Sequence, residues 1–271
     1  MTSINTNVGA LIALRNLNLT NVELEKVQDR VSTGFKVIGP KDDASNFSIA
    51  QGLRADLKAF DAVQQSLSAG RGVVAAAIAG AENLSNLLAE MKQKVIQAAN
   101  PANTSNQQSI LSADFDNMVQ QLNAFVTNAV YNGRNIISSG SGSVSITSTI
   151  TGGQLTIVNA STLGGVSTAL SSGVATTAGA LALLTAVTAQ ELIVGTALGT
   201  LGANAKNIDF QSTFSKTLSD AVSEGLGALV DADLAKESAK LQALQVKQQL
   251  GVQALSIANK RPEIILGLFR G

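Results

Sequence analysis

Apolar residues follow a helical period from near the start of the chain, lose it in a Gly/Ser/Thr-rich middle, and resume it towards the end. The sequence reads outward, turns and comes back. Its strongest run is Leu53, Phe60, Leu67, Val74, Ala81, Leu88 and Val95, one at every seventh position, with Val63, Ala77, Leu84, Met91 and Ala98 at companion positions. Such a seam belongs to a long helix whose apolar edge is covered by partner helices. It predicts one helix over about residues 45–99, on the order of 80 Å long at 1.5 Å per residue. No compact enzyme domain needs a helix of that length.

The amino-terminal stretch carries two stripes. Ala10, Leu17, Leu24 and Val31 lie at heptad spacing, and Ile4, Val8, Leu11, Ile12, Leu19 and Val22 run beside them. One stripe serves one partner; two require several. A lone helix of this length is marginal in water, so the segment is expected to order only on assembly. From Ser32 to Pro40 the period breaks, because Gly34 and Gly39 admit positive φ and Pro40 biases its predecessor away from helix, which predicts a linker. Asp42 and Asp43 then stand where a helix start favours side-chain acceptors and negative charge.

Beyond Asn100-Pro101, Ser105 with Gln108 has capping-box spacing, and Leu111, Phe115, Met118, Leu122, Phe125 and Val126 share one face. This predicts a second helix folded back along the first. Tyr131-Asn132-Gly133-Arg134 reads as a turn, and Val144–Ile150 with Gln154–Asn159 flank Thr151-Gly152-Gly153 as a β-hairpin. Residues 163–179 are low in complexity and are expected as a surface excursion. Helical period returns over about residues 180–226, where Gly195, Gly199 and Gly202 predict the close approach of another helix. The most apolar window, Leu181–Leu201, is interrupted by Gln190, Glu191 and Gly195 and reads as a buried helix that falls short of a membrane span. At the carboxyl end Leu234, Leu241 and Leu255 share one seven-residue row, and Ala243, Leu250, Ile257 and Ile264 another. Pro262 is expected to bend the last turns, leaving Ile264, Ile265, Leu266, Leu268 and Phe269 as an apolar tail that has to be covered. The fold class that follows is mainly α: an elongated antiparallel helical coiled-coil rod with a small β-hairpin.

Composition removes most chemistry. The 271 residues include no Cys, His or Trp, so the commonest general base, the thiolate nucleophile and the best transition-metal ligands are absent. No catalytic residue, cofactor site or metal site is expected. Asp42 with Asp43, and Asp231 with Asp233, have the look of paired acids, yet each pair sits where a helix begins and reads as capping. The Gly-rich segments lack the phosphate-cradling pattern of a nucleotide loop. Basic and acidic residues cancel at 19 each, without a basic stripe interleaved with aromatics, so neither nucleic acid nor an anionic membrane is an expected partner. A thiol-free chain tolerates oxidising surroundings. The amino end shows no basic and apolar leader pattern, so export is expected by another route.

Several segments together resemble bacterial flagellin: Arg30-Val31-Ser32-Thr33-Gly34-Phe35-Lys36, Lys41-Asp42-Asp43-Ala44, Ile49-Ala50, Tyr131-Asn132-Gly133, Val230-Asp231-Ala232-Asp233-Leu234-Ala235, Lys247-Gln248-Gln249, and the ending from Ala258-Asn259 through Pro262 to Leu268-Phe269-Arg270. The short form is similar to α-proteobacterial members. Gly39-Pro40 and Lys260-Arg261 depart from the usual pattern. The resemblance implies a secreted filament subunit, exported by the flagellar type III apparatus with an export chaperone. It further implies head-to-tail polymerisation with itself and other flagellins, between hook-filament junction and filament cap proteins. A junction protein or an unrelated intracellular coiled-coil scaffold are the alternative readings.

The resemblance also implies a layered plan. Residues 1–40 form an N-terminal D0 helix and spoke linker, 41–137 the N-terminal D1 helices, and 138–179 the hairpin with a variable surface segment. Residues 180–228 form the C-terminal D1 helix and 229–271 the C-terminal D0 helix. On this plan the inner filament core is built by Ile4, Val8, Leu11, Leu17, Leu24 and Val31 with Leu234, Leu241, Leu250, Leu255, Ile257, Leu266 and Phe269. The signature linker is Arg30, Ser32, Thr33, Gly34, Lys41, Asp42 and Asp43. Leu53, Phe60, Leu67, Val74, Leu88 and Val95 pack the rod.

Overall fold

The long heptad seam lies in one helix of 55 residues, α2 (Ala44–Ala98), in a computed structural model that describes residues 6–171 and 174–268, with side chains through Lys260. Around it in chain order are α1 (Val8–Thr33), α3 (Ser105–Asn128), β1 (Val144–Thr147), β2 (Gln154–Ile157), a 3-10 turn at Ser161–Gly165, α4 (Val166–Ala169), α5 (Thr177–Val230) and α6 (Leu234–Leu268). The chain divides into two units: a central one, Asp56–Asp220, and a terminal one made of Met1–Ala55 with Ala221–Gly271.

The central unit is built on heptads. Along α2, Phe60, Val63, Leu67, Val74, Ala77, Ala81, Leu84, Leu88, Met91, Val95 and Ala98 are all buried and, with buried Gly70, alternate steps of three and four. From α3 come Phe115, Leu122 and Val126, and from α5 Leu183, Val187, Val194, Ala197, Leu201 and Ile208; those on α2 from Val63 onward join them in one apolar cluster. Glycine permits the tightest approaches: a Cβ at Gly80 would stand 2.7 Å from the Ala129 Cβ, and one at Gly72 would run into the Tyr131 ring. Polar ties flank the seam, with Lys92 on Glu191 and Lys94 on Asp114, each at 2.6 Å.

Local signals hold with shifts. The capping box of α3 is Thr104 with Gln107, one residue ahead of the expected Ser105 and Gln108. Gln108 is unavailable because its buried amide donates to Ala98 O and Val174 O, at 3.1 and 2.7 Å. Tyr131 and Arg134 exchange backbone hydrogen bonds across Asn132 (φ 48°) and Gly133 (φ 75°), a two-residue reversal that needs left-handed backbone. β1 and β2 pair antiparallel, Val144 opposite Ile157 and Ile146 opposite Leu155, and turn Ile146 and Ile157 into the core. The strands are shorter than expected because Ser148 and Thr149 turn their N–H groups onto the Gly153 carbonyl.

Three expectations are corrected. Residues 163–179 are not a surface excursion: Leu163, Val166, Leu170 and Val174 are buried. The 3-10 turn and α4 set the first three on one side at steps of three and four, an apolar period too short to stand out in poor composition. Among the described residues, no helix approaches Gly195, Gly199 or Gly202; a Cβ at each would meet nothing within 4 Å. Finally, α2 and α5 are both long and apolar enough to cross a membrane by length and composition. The polar interruptions do not lower the average of α5 enough, although its rows from Leu183 to Leu201 pack into the apolar cluster.

Candidate self-association surface

The terminal unit pairs α1 with α6. Asn7 opens α1 by accepting the Ala10 N–H at 3.1 Å, and Gly34 closes it at φ 76°, donating its own N–H to Arg30 O. Leu17, Leu24 and Val31 are half-buried on the paired side, with Thr20 and Val27 buried between them. Opposite stand Leu241, Leu244, Gln248, Gly251, Leu255 and Ala258, again at steps of three and four. Gly251 leaves the space that Leu17 occupies, since a Cβ there would come 3.2 Å from Leu17 Cδ1. Polar ties set the register: Gln248 Nε2 donates to Asn21 Oδ1, and Asn7 Nδ2 to Ala258 O, both at 2.8 Å. Arg30 meets Glu237 at 3.3 Å, and Arg30 Nε and Glu237 Oε2 are buried with no hydrogen-bond partner among the described residues.

The linkers clamp together below this pair. Lys36 N–H donates to Val230 O at 2.7 Å and Ala232 N–H to Gly34 O at 2.8 Å, with Phe35 bridging Asp231. Val37, Ala50 and Val230 are buried, backed by Phe47, Leu226 and Leu229. Outside lies the Arg54 guanidinium, 6.0 Å from the Phe35 ring centre. The expected helix-start role falls to Asp43 alone of its pair: it accepts the Asn46 N–H at 3.0 Å, and that backbone donor with the Asn46 side chain lowers its carboxyl pKa. Asp42 instead closes the linker. It receives Lys26 Nζ at 3.0 Å and the Ile38 N–H at 3.2 Å. Its pKa is lowered, mainly by the Lys26 hydrogen bond, against a smaller opposing effect of burial. Asp233 caps α6 through the Ala235 and Lys236 N–H groups.

The two amino-terminal stripes therefore separate. Leu17, Leu24 and Val31 meet α6, and Leu241 and Leu255 meet α1. Val8, Leu11, Ile12, Leu19 and Val22 stand in solvent, as do Leu234, Leu250 and Ile257. Single exposed apolar residues are ordinary, and it is the alignment of Val8, Val22 and their neighbours along α1, and of Leu250 and Ile257 along α6, that marks a surface awaiting cover. A groove of about 320 Å³ runs along this row of α1, between Leu11 and Val22. Ile4 and Phe269 lie outside the described residues, as does the side chain of Leu266.

Of the signature linker, Thr33 donates its hydroxyl to Asp29 O, while Ser32 and Lys41 are exposed. Of the packing row, Phe60, Leu67, Val74, Leu88 and Val95 are buried in the central unit and Leu53 is half-buried in the terminal one. Sequence reasoning missed Thr20, Gln248 and Gly251 in the α1–α6 seam because none is apolar and large; the available signal was heptad spacing, with Thr20 three residues after Leu17, Gln248 seven after Leu241 and Gly251 three after Gln248. Among the described residues, no group of three or more Asp and Glu is placed to hold a metal ion.

Residues 4–141 match the bacterial flagellin N-terminal helical region, and residues 184–269 the bacterial flagellin C-terminal helical region. The chain is 39% identical over 271 residues to flagellin FljM of Caulobacter vibrioides, covering 100% of this chain and 99% of that protein. It is 37% identical over 286 residues to a flagellin of Brucella melitensis, covering 100% of both. Among solved structures, a putative flagellar hook-associated protein from Vibrio parahaemolyticus superposes with a TM-score of 0.60 at 14% identity, over 70% of this chain and 100% of that one. At that identity the likeness is one of fold.

Proposed function

The chain belongs to the bacterial flagellin family, and on that premise we propose how its terminal helices build the filament. It is a structural subunit of the flagellar filament, an extracellular bacterial structure. The α1–α6 pair forms the innermost layer, and the exposed rows from Val8 to Val22 and through Leu250 and Ile257 bury against neighbouring subunits. The observation that carries this is the split of α1 into one row spent on α6 and one left in water. Fully burying a Val, Leu or Ile side chain contributes about 1.5–3 kcal/mol, so the exposed apolar residues of α1, Leu14 among them, supply a large gross driving force. Ordering of the helices and lost subunit freedom offset much of it.

Unlike surfaces meeting head to tail give an open helical polymer. Residues 1–40 and 229–271 order on assembly, which lets the chain leave the cell unfolded through the flagellar type III apparatus, with an export chaperone covering the apolar ends beforehand. Hook-filament junction and filament cap proteins are its further partners, at the two ends of the polymer. Protein dissociated by acid or heat, neutralised and seeded with short filament fragments should give long filaments in the electron microscope. Removing residues 1–40 or 229–271 should abolish growth and leave the helical signal of the central unit. Seeds left unextended by the full chain, or extended by a trimmed one, would overturn the proposal.

A further inference from the structure

The paired helix α6 carries two apolar rows one residue apart, and only one of them meets α1. Counting by sevens from Glu237 gives Leu244, Gly251 and Ala258, on the paired side; counting from Lys236 gives Ala243, Leu250 and Ile257, which stand in solvent. Leu250 and Ile257 are 58% and 65% exposed, whereas Leu244 is buried. The row turned inward is the less apolar of the two. Companion positions, Leu241 and Leu255 inside against Val246 outside, narrow the difference. Burial of apolar surface therefore leaves the choice of face nearly even.

The charged residue at the head of each row breaks the tie. Successive residues on a helix are 100° apart, so a turn of α6 by that angle would exchange the rows and put Lys236 where Glu237 stands. In the observed arrangement Arg30 Nη1 donates to Glu237 Oε1 at 3.3 Å, and the two side chains are only 21% and 14% exposed. In the turned one, two cations would face each other where little water reaches. The helix ends add to the preference. Arg30 lies in the last turn of α1 and Glu237 in the first turn of α6, where the end charges of each helix favour that sign.

The contact itself is loose. One N–H reaches one oxygen, and Arg30 Nε and Glu237 Oε2 stay buried with no partner among the described residues. A pair so made adds little stability, yet it opposes strongly any arrangement that takes the partner away. The linkers leave the choice open. Lys36 on Val230 O and Ala232 on Gly34 O fix where α6 starts, and new backbone angles at Asp233 would absorb a turn about its axis. We propose that Arg30 selects which face of α6 turns inward, accepting the row headed by Glu237 and rejecting the row headed by Lys236, and so keeps Leu250 and Ile257 outward. The choice is made within one chain; only the use of the outward row by a neighbour rests on the filament reading.

The chain has no cysteine, so a disulfide can report the face. A Cβ at Gly251 would stand 3.8 Å from the Leu17 Cβ, the usual separation in a disulfide, whereas residue 250 points about 100° away. Leu17→Cys with Gly251→Cys should bridge on mild oxidation in seeded filaments, and Leu17→Cys with Leu250→Cys should not. Exchanging the head residues, Lys236→Glu with Glu237→Lys, leaves composition and net charge as they are. It should lower the yield of the 17–251 bridge about tenfold or more and raise the 17–250 bridge in its place. Adding Arg30→Glu should bring the 17–251 bridge back, which general damage to the helix would not allow. A 17–251 bridge as abundant after the exchange as before would overturn the inference and leave the fit of Leu17 over Gly251 to choose the face. Loss of both bridges without recovery on adding Arg30→Glu would overturn it too. An exchanged chain that does not extend seeds is doped as a minority into unaltered chain: readmission on adding Arg30→Glu supports the assignment, and continued exclusion overturns it. Seeds left unextended by the unaltered chain would strike the filament reading instead, and the bridges are then read on the soluble chain. No 17–251 bridge there with the head residues in place would remove the α1–α6 pairing and this inference with it.

Discussion

Both units carry apolar rows at heptad spacing, yet the central unit buries its rows almost completely and the terminal unit does not. On α2 the seam from Val63 to Ala98 joins residues of α5 and α3 in one cluster, the end of α3 standing beside Gly80 and the hairpin residues Ile146 and Ile157 beside Gly70, and position after position has no solvent contact. On α1 the described residues in the buried class are Thr20 and Val27, and α6 adds Leu244. The difference is one of partner number. A third helix covers what a pair leaves open, so the central unit has a core of its own, whereas two helices side by side each expose a flank. A helix pair with that much exposed leucine, isoleucine and valine is stable when neighbours supply the missing cover, and the terminal unit is the place where neighbours matter.

The comparison is broken most directly by Leu88→Ala. Leu88 is fully buried, so the change should lower central-unit stability by about 3 kcal/mol, read by urea titration of the helical signal. The same truncation at half-exposed Leu17 should scarcely move the monomer's midpoint while weakening filament growth. Gly80→Ala should cost about 1–3 kcal/mol, because the new methyl meets the Ala129 Cβ, which cannot swing away. Thr104→Ala removes a capping box and should cost about 1 kcal/mol by the same titration. Gly199→Ala has the opposite sign: with open space around it, the monomer should gain about 0.5–1 kcal/mol of helix propensity.

The smallest effect is electrostatic. Asp42 has a carboxyl pKa lowered in the folded linker, chiefly by Lys26. A depressed folded pKa contributes stability above the ordinary Asp value, and that contribution is lost as pH falls through the folded value. Melting followed from about pH 5 to about pH 2 should therefore decline less steeply in Asp42→Asn than in the unaltered chain. Asp43 keeps its own acid sensitivity through Asn46, so part of the slope remains.

Much of the fold was legible where period and punctuation agree. The seam through Leu67, Val74 and Leu88, the face of α3 through Phe115 and Leu122, and the Asn132-Gly133 reversal all rest on short-range spacing that side-chain chemistry states directly. Less legible were residues whose role depends on a distant neighbour. Gln108 looks like a capping residue until Val174 arrives beside it. Leu163, Val166 and Leu170 look like fragments of a surface loop until α3 gives them something to pack on. Gly251 carries no signal of its own because its value lies in the room it leaves for Leu17, and Thr20 and Gln248 hide in the seam because polar residues interrupt an apolar count.

The sequence by itself determined that the chain is helical at both ends, that its helices need partners along their length, and that it has no His or Cys side chain to offer to catalysis. Those conclusions depend on residue type and on a period set by the backbone, which are fixed before any long-range contact forms. Only the tertiary structure decided which of two stripes on α1 is spent within the molecule and which is left over, and that the Phe210–Phe214 side of α5 faces water. Both are questions of the direction in which a helix meets its neighbour. Helices with several apolar rows have several such directions, and the packing of the whole chain selects among them.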